Sequence, residues 1–491
     1  MKKAAIKGAR WGFIENFSSL AITFVVAFVL QRWFLSPKEF GLIGHLSFFI
    51  AISISLIDSG FSAAIIRKKE PLKEDLSTTF VLNLSVSLLC FLLLFFTAPY
   101  IASYFEEPQL QPLLRVLSIV LILNAVSIIQ RVLIIKAIDF KRLTICSVVS
   151  AIFSGVVGIG MAFMGYGVWS LVGQQITKQL VQSLMLWILG SWKPSFRFSV
   201  KSFRELFSYG SNVMFTGLLD TFFKNIYFPV IGKSYGTAIL GQYTTSDKYN
   251  NITSYNLSQI VQRVSFPVLS KAQDSDQRLK EVFRTILKVA MFASVFISFF
   301  LSAVSRAFIV GLIGEKWLMA ASILSITCMA GAFYPAQGLY QNLLQIKGKM
   351  RCFLAIEILK KVLMAISIVL GIIFKSLQVL LWGMVAASIL TLLVNAYFSG
   401  KSIGYSPFAQ IKDLLPMFLV SFVVALIGGI VCELFIFLCK SKLGWYDITC
   451  TNLCAVALSA LFCGGLLYIV YRIFPAKEMV EIKNLLRVWK S

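Results

Sequence analysis

The sequence is poor in charged residues, especially acidic ones, and has a single histidine, His45. Only 14% of the 491 residues are Asp, Glu, Lys or Arg, whereas a soluble domain usually has about a quarter. One histidine is too few for a His-rich metal or proton site. The phosphate-loop pattern of ATPases is also absent. We therefore expect no metal, no cofactor and no ATPase within this chain.

The nine cysteines give no metal-site spacing. Six of them fall within or at the ends of apolar segments and are typical of small buried residues. Cys439, Cys450 and Cys454 lie near a connection between two such segments. The sequence neither predicts nor excludes a disulfide bond between them.

Apolar residues dominate what is present. They make up 58% of the chain, and the mean hydropathy is +0.81. A membrane-spanning helix needs about 20 apolar residues, and the chain predicts an all-α integral membrane protein with 14 such helices. The segment 238–268 is the most polar of them. The predicted segments are 13–35, 42–66, 78–101, 113–135, 144–164, 167–190, 207–231, 238–268, 283–312, 317–346, 353–374, 377–398, 414–438 and 452–474.

The net charge of +24 is distributed unevenly between the connections. Alternate connections and the two ends hold 29 of the 46 Lys and Arg residues, and the remaining connections hold six. Positive residues mark the cytoplasmic side of a membrane protein. The sequence therefore predicts a multi-pass membrane protein with both termini in the cytoplasm. Because topology explains the charge, no nucleic-acid partner is expected. Removing the polar eighth segment would invert every later connection.

The arrangement of segments predicts two similar six-helix bundles followed by a helix pair. Glu39-Phe40-Gly41 follows Gly8 at a spacing of 33 residues, and Ile239-Leu240-Gly241 follows Gly210 at 31. Such repeats are common in secondary transporters. The predicted domains are 1–200, 201–405 and 406–491. No connection between the predicted membrane segments exceeds about 20 residues. This argues against a membrane glycosyltransferase or polymerase, because such an enzyme would be expected to carry a large outer loop.

Eleven Lys and Arg residues remain inside the predicted helices. Arg115, Arg131, Lys288 and Arg306 lie near helix ends, where we expect their side chains to reach the interface. A charge at the bilayer centre costs about 3 kcal/mol on insertion scales and needs a wet cavity or a partner. The positive balance favours an anionic phosphate or pyrophosphate headgroup in a cavity between the two halves. The candidate binding residues are Arg32, Lys178, Lys224, Lys248, Arg263 and Lys360.

Acidic residues inside the helices are fewer, and three are candidates for proton or sodium coupling: Glu15, Asp58 and Asp220. Asp220 and Lys224 are four residues apart and share one helix face. They can form an internal ion pair or face the cavity together. The alternative for the whole set is that these charges only hold helices together.

Several stretches, taken in order, resemble Wzx-type polysaccharide flippases, and especially the colanic-acid exporters. The likeness spans most of the chain. It is carried by Leu30-Gln31-Arg32, Ser36-Pro37-Lys38-Glu39-Phe40-Gly41-Leu42, Asp58-Ser59-Gly60-Phe61, Ala64-Ile65-Ile66-Arg67, Tyr209-Gly210, residues 263–274 and Gly314-Glu315-Lys316-Trp317.

The resemblance implies the fold of the multidrug/oligosaccharidyl-lipid/polysaccharide exporter superfamily. It implies a non-enzymatic flippase that moves undecaprenyl-pyrophosphate-linked oligosaccharides to the outer leaflet by ion-coupled alternating access. Implied partners are this lipid-linked substrate, membrane lipid, and a polysaccharide polymerase and chain-length regulator. Only Arg32 matches a family position. A peptidoglycan-precursor (lipid II) flippase and a multidrug exporter are the alternatives. The sugar, the coupling ion and the oligomeric state stay open.

Overall fold

The computed structural model describes residues 2–58, 60–195, 197–442 and 448–473. Every regular element in these ranges is helical. The α-helices are α1 Lys2–Val29, α2 Pro37–Asp58, α3 Phe61–Arg67, α4 Lys73–Phe105, α5 Leu110–Leu117, α6 Ile119–Lys136, α7 Phe140–Phe163, α8 Trp169–Leu189, α9 Val200–Asn225, α10 Tyr227–Tyr235, α11 Thr237–Asn250, α12 Asn256–Lys271, α13 Asp276–Ala303, α14 Ser305–Ile313, α15 Leu318–Gly331, α16 Tyr334–Ile346, α17 Met350–Ile373, α18 Leu377–Lys401, α19 Pro407–Lys442 and α20 Ile448–Ile473.

Each predicted segment lies within one helix or within consecutive helices, except for one or two residues at the ends of some segments. Within the described residues, ten helices are long and apolar enough to cross a membrane. The other predicted segments correspond to α8, to α9 with α10, to α11 with α12, and to α17. These more polar helices carry five of the six candidate cations. The basic tail beyond residue 473 lies outside the described residues.

The chain forms two compact units, Met1–Gly241 and Gln242–Ser491. The core of the first unit packs side chains of α2, α4, α5 and α6, including Leu46, Ile57 and Leu121. The core of the second unit packs α12, α13 and α16, including Phe283, Leu287 and Leu343. The predicted division at 200 and 405 follows the repeats and stays a prediction.

Even-numbered connections, which carry the basic residues, meet at one end of each unit. In the first unit, Lys68 pairs with Glu205 at 3.1 Å, which joins the second connection to the start of α9. Lys136, which ends α6, donates to the Ile65 carbonyl at 3.0 Å. In the second unit, the Lys280 ammonium donates to the Gly404 carbonyl at 2.7 Å. The alternation seen in the sequence is therefore a spatial separation within each unit.

The odd-numbered connections of the first unit meet at its other end. Lys38 in the first turn of α2 pairs with Glu107 at 3.2 Å, and Lys233 pairs with Glu106 at 2.8 Å. Glu106 has φ of 59°, a left-handed conformation that ends α4. The first, third and seventh connections are thus tied together.

Close backbone crossings depend on two glycines near the same end. A Cβ on Gly41 would collide with the Thr237 carbonyl, and one on Gly241 would collide with the Pro37 carbonyl. The start of α2 therefore crosses the start of α11 with no side chain between the two backbones. These are the two glycines that the sequence repeat aligns.

The polar eighth segment is helical throughout, with a π-helical turn at Asn251–Tyr255 between α11 and α12. Part of its polarity is buried. Asn250 donates to the Thr327 carbonyl at 3.3 Å, and Ser254 donates to Asn250 at 2.9 Å. These side chains link α11 and the π-turn to α15, because hydrogen bonds between helices satisfy polar groups that water cannot reach.

Candidate substrate path

A row of polar side chains runs along α9. Its members recur every four residues, so each lies about 40° around the helix from the one before, and the row winds by about 160° from Ser208 to Lys224. All five side chains are exposed. At 1.5 Å per residue the row is about 24 Å long, most of the roughly 30 Å hydrocarbon core of a bilayer. The row consists of Ser208, Asn212, Thr216, Asp220 and Lys224.

The first half of α9 packs on α2 and α3 through the side opposite Ser208 and Asn212. Gly210 approaches Gly60, where an added Cβ would collide with the Gly210 carbonyl, and Leu206 is buried with Phe61. Gly60 has φ of +67°, which separates α2 from α3. Ser208 and Asn212 are therefore directed away from this contact, and Asp220 and Lys224 are exposed further along the helix. Polar groups facing hydrocarbon are costly, so the row is suited to contact water or a polar substrate.

Lys178 lies on a second polar row, near the middle of α8. Gln174, Lys178 and Gln182 are spaced four apart, and Lys178 is exposed. The opposite face of α8 binds α6, where Ser183 donates to the Leu123 carbonyl at 2.6 Å and Trp187 to the Val126 carbonyl at 3.2 Å. In the described residues no acidic side chain pairs with Lys178. The role of Lys178 in binding an anion stays a prediction.

In the second unit, Lys248 and Arg263 flank the π-turn between α11 and α12. Lys248 is half-buried and has interaction partners within the structure. Arg263 is exposed on α12. Its neighbour Gln262 accepts through its backbone carbonyl from Asn342 at 2.9 Å, which attaches α12 to α16. Arg263 is therefore exposed next to the residue that attaches α12 to α16.

Lys360 lies on the inward side of α17. At 100° per residue, it shares a face with the buried Ile356 and Ser367, whereas Ile358 and Val369 on the other side are exposed. One turn earlier, Glu357 accepts a hydrogen bond from Gln341 of α16. Lys360 is therefore directed towards protein and polar groups, and its apolar stem does not face the exposed side.

The remaining candidates occupy three different environments. Arg32 is half-buried in a π-helical turn, Leu30–Phe34, at the end of α1. Glu15 is half-buried and accepts from Ser147 of α7 at 2.8 Å. Asp58 is exposed at the end of α2. Asp220 and Lys224 share the α9 row, and both have interactions within the structure. Of the predicted set, Asp220 and Lys224 lie one turn apart on the same helix.

Two of the cations expected to reach the interface make specific contacts in the described structure. Lys288 is buried, with its Nζ 3.7 Å from Asp413 of α19, which also pairs with Arg284. The Arg115 guanidinium lies 4.6 Å from the centre of the Phe95 ring and donates to the Phe95 carbonyl. These residues attach helices within their units and are not candidates for the path.

Ion pairs at the connections shift the pKa of two groups. The hydrogen bond from Lys233 lowers the pKa of Glu106, and the hydrogen bond to Asp75 raises the pKa of Lys68. In each case the opposite charge of the partner favours the charged form of the shifted group. The two pairs lie at opposite ends of the first unit.

An Asp-x-Asp triplet, the spacing of many metal-dependent sugar-transfer sites, occurs at Asp274 and Asp276. Here the intervening Ser275 accepts from the Arg278 backbone N–H at 3.4 Å and caps α13. Asp276 pairs with Lys347. The described residues contain no group of three or more His, Cys, Asp or Glu side chains placed to hold a metal ion. The triplet is accounted for by helix capping and ion pairing.

Comparison with known proteins gives a family match. Residues 29–322 match the family described as "Polysaccharide biosynthesis protein". This range contains Arg32, Lys178, Lys224, Lys248 and Arg263; Lys360 lies beyond it.

Two curated relatives cover most of the chain. The teichuronic acid biosynthesis protein TuaB of Bacillus subtilis (strain 168) is 26% identical over 431 residues, 87% of this chain and 88% of that protein. The lipopolysaccharide biosynthesis protein WzxC of Escherichia coli (strain K12) is 24% identical over 377 residues, 76% of each. Among solved structures, the lipid II flippase MurJ in an inward closed conformation aligns with a TM-score of 0.72 at 15% identity. That alignment covers 96% of this chain and 100% of MurJ.

Proposed function

The chain belongs to the polysaccharide biosynthesis protein family, and we propose that it flips undecaprenyl-pyrophosphate-linked oligosaccharide repeat units across the bacterial inner membrane. The product supplies a surface polysaccharide such as O-antigen, capsule or exopolysaccharide. The proposed topology is 14 membrane-spanning helices with both termini in the cytoplasm.

The polar row of α9 carries this proposal. Five exposed polar residues at four-residue spacing wind along α9 over about 24 Å, most of the thickness of the hydrocarbon core. Polar and charged groups at this depth are costly and mark substrate paths. Hydroxyl, amide and charged groups in succession match a substrate that combines sugar hydroxyls with a pyrophosphate. A small cationic drug with an apolar body would not need a polar track of this length.

Each part of the substrate has a group of matching chemistry. Lys178 and Lys224 bind the pyrophosphate, because ammonium groups replace the water that it loses. Gln174, Gln182 and Asn212 offer amides to sugar hydroxyls. The undecaprenyl chain remains in lipid, where exposed apolar side chains cover the helices. In the second unit, Lys248, Arg263 and Lys360 bind the same anion during its passage.

Asp220 is the coupling residue that the geometry favours. It lies one turn from Lys224 on the exposed row, so proton or sodium binding at Asp220 changes the charge next to the substrate anion. In this proposal, Glu15 serves mainly to attach α1 to α7 through Ser147.

Deletion of the gene in its native host tests the proposal. We expect surface polysaccharide to disappear and the lipid-linked oligosaccharide to accumulate on the cytoplasmic leaflet, where an added membrane-impermeant glycosidase cannot reach it in intact cells. Expression of the intact chain should restore display. Equal accumulation on both leaflets would contradict a flipping role.

The same strains separate the alternatives. If the chain carried lipid II, it would rescue growth of cells depleted of their own peptidoglycan-precursor flippase. If it exported drugs, deletion would increase sensitivity to cationic dyes without changing the lipid-linked pool. We expect neither result.

A further inference from the structure

A pocket of about 420 Å³ lies at the end of the first unit where the odd-numbered connections meet. It is formed by the first, third and fifth connections, together with the starts of α2 and α8. Ligand pockets commonly enclose about 300–1,000 Å³. None of the residues assigned to the flipping path lines it.

Two aromatic side chains and several polar groups face this pocket. Tyr166 and Trp169 line one part, and Ser36, Lys38 and Gln109 line another. Tyr166 is 55% exposed. Among the described residues, the Tyr166 hydroxyl and the Trp169 indole N–H have no hydrogen-bond partner. Both are available as donors next to a flat apolar ring surface.

The pocket walls are held in place by specific contacts. The Ser36 backbone N–H and hydroxyl donate to Glu39 Oε2 at 2.6 and 2.9 Å. Gly167 has φ of +54°, and a Cβ there would lie 2.7 Å from Glu39 Oε1. The absent side chain lets Glu39 approach the fifth connection. Lys38 is fixed by its ion pair with Glu107.

The charge balance of the pocket selects the ligand class. Its one cation is already paired with Glu107, and Glu39 adds a carboxylate, so the pocket offers no net positive charge to a phosphate. Aromatic faces with surrounding donors and acceptors instead suit a sugar ring, which has apolar C–H faces and a rim of hydroxyls. We propose that this pocket binds one or two sugar rings of the repeat unit after it has been flipped. The inference rests on the proposed function, because the proposed topology places this end outside the cytoplasm.

Binding of a soluble saccharide to the purified full-length protein tests the site without requiring transport. The probe is the repeat-unit oligosaccharide released from the surface polysaccharide of the host, titrated by calorimetry in nanodiscs. We expect Trp169→Ala and Tyr166→Ala each to raise the Kd at least tenfold. Trp169→Phe should retain most of the affinity, because Phe keeps the ring face.

Matched controls are Trp382→Ala and Tyr100→Ala, which remove exposed aromatic residues that do not line the pocket. They should bind as the wild type does. Unchanged affinity in Trp169→Ala, with a melting temperature within a few degrees of wild type, overturns the site. So does absence of binding to the wild type. If Lys178→Ala and Lys224→Ala both leave polysaccharide display intact, the flipping path is wrong, and the calorimetry still decides the pocket.

Discussion

At the scale of single residues, the charges inside the helices have two distinct uses. Lys288 and Arg115 contact groups of neighbouring helices, and Glu15 accepts from Ser147. Lys178 on α8 and Lys224 on α9 are exposed. Charge and depth alone predicted that some cations serve a path. Only the exposure of each side chain in the folded chain separates the two groups.

Neutralising the path cations should stop transport without unfolding the protein. We expect Lys178→Ala and Lys224→Ala each to reduce polysaccharide display at least tenfold, because the pyrophosphate loses a charged partner, and Lys178→Arg to retain part of it. Display is measured by surface labelling, and membrane abundance by immunoblot. Lys141→Ala, which removes an exposed cation at the start of α7, is the control and should display normally. Normal display in both path variants would contradict the assignment.

The glycine crossing of α2 and α11 predicts an effect on stability. An added Cβ at Gly241 overlaps the Pro37 carbonyl, and overpacking of this kind costs about 1–3 kcal/mol. Gly241→Ala should therefore lower the melting temperature of the purified protein. Gly160→Ala on α7, where nothing lies within 4 Å of an added Cβ, should leave it unchanged or slightly raised. Equal melting temperatures for the two variants would show that the crossing tolerates a side chain.

At the scale of elements, the sequence located the helices, and the structure shows how part of the polarity of segment 238–268 is used. Its residues Ser246, Asn250 and Ser254 form buried hydrogen bonds with neighbouring helices. The row on α9 was not predicted beyond Asp220 and Lys224. The four-residue spacing from Ser208 to Lys224 is present in the sequence. Its three uncharged members were not predicted, because the candidate residues were chosen by charge.

Water access along α9 can be measured directly. In a background without the nine native cysteines, Thr216→Cys should react with a water-soluble methanethiosulfonate reagent, because it lies on the polar row. Phe215→Cys, about 100° around the helix, should react at least tenfold more slowly, because that exposed apolar position faces lipid. Similar rates at both positions would mean that the row does not line an aqueous path.

At the scale of the whole molecule, family membership and helical architecture agree with the expectations from sequence. The family match and the polysaccharide-related relatives confirm the resemblance to Wzx-type flippases. The MurJ alignment supports the superfamily fold. Neither the substrate nor the coupling ion follows from a fold, because fold and function are separable.

Reporter fusions test the proposed topology. Alkaline phosphatase fused after Gly165 or Lys375 should be active, because these connections are poor in basic residues and are expected outside. Fusions after Lys69 or Gly348 should be inactive, and a cytoplasmic reporter at the same sites should be active. Inverted activity at both Gly348 and Lys375 would mean that the eighth segment does not cross the membrane.

The sequence by itself determined where the apolar segments lie and how basic residues alternate between connections, because hydrophobicity and Lys/Arg bias are properties of short stretches of chain. Tertiary structure decided which polar groups of a helix are buried and which stay exposed, since that depends on helices distant in sequence. Asn250 and Asp220 look equally out of place in a membrane helix. Asn250 is buried and bonds to the Thr327 carbonyl, whereas Asp220 is exposed on α9. The pocket at Trp169 likewise exists only because three connections that are distant in sequence, between Ser36 and Trp169, meet at one end of the first unit.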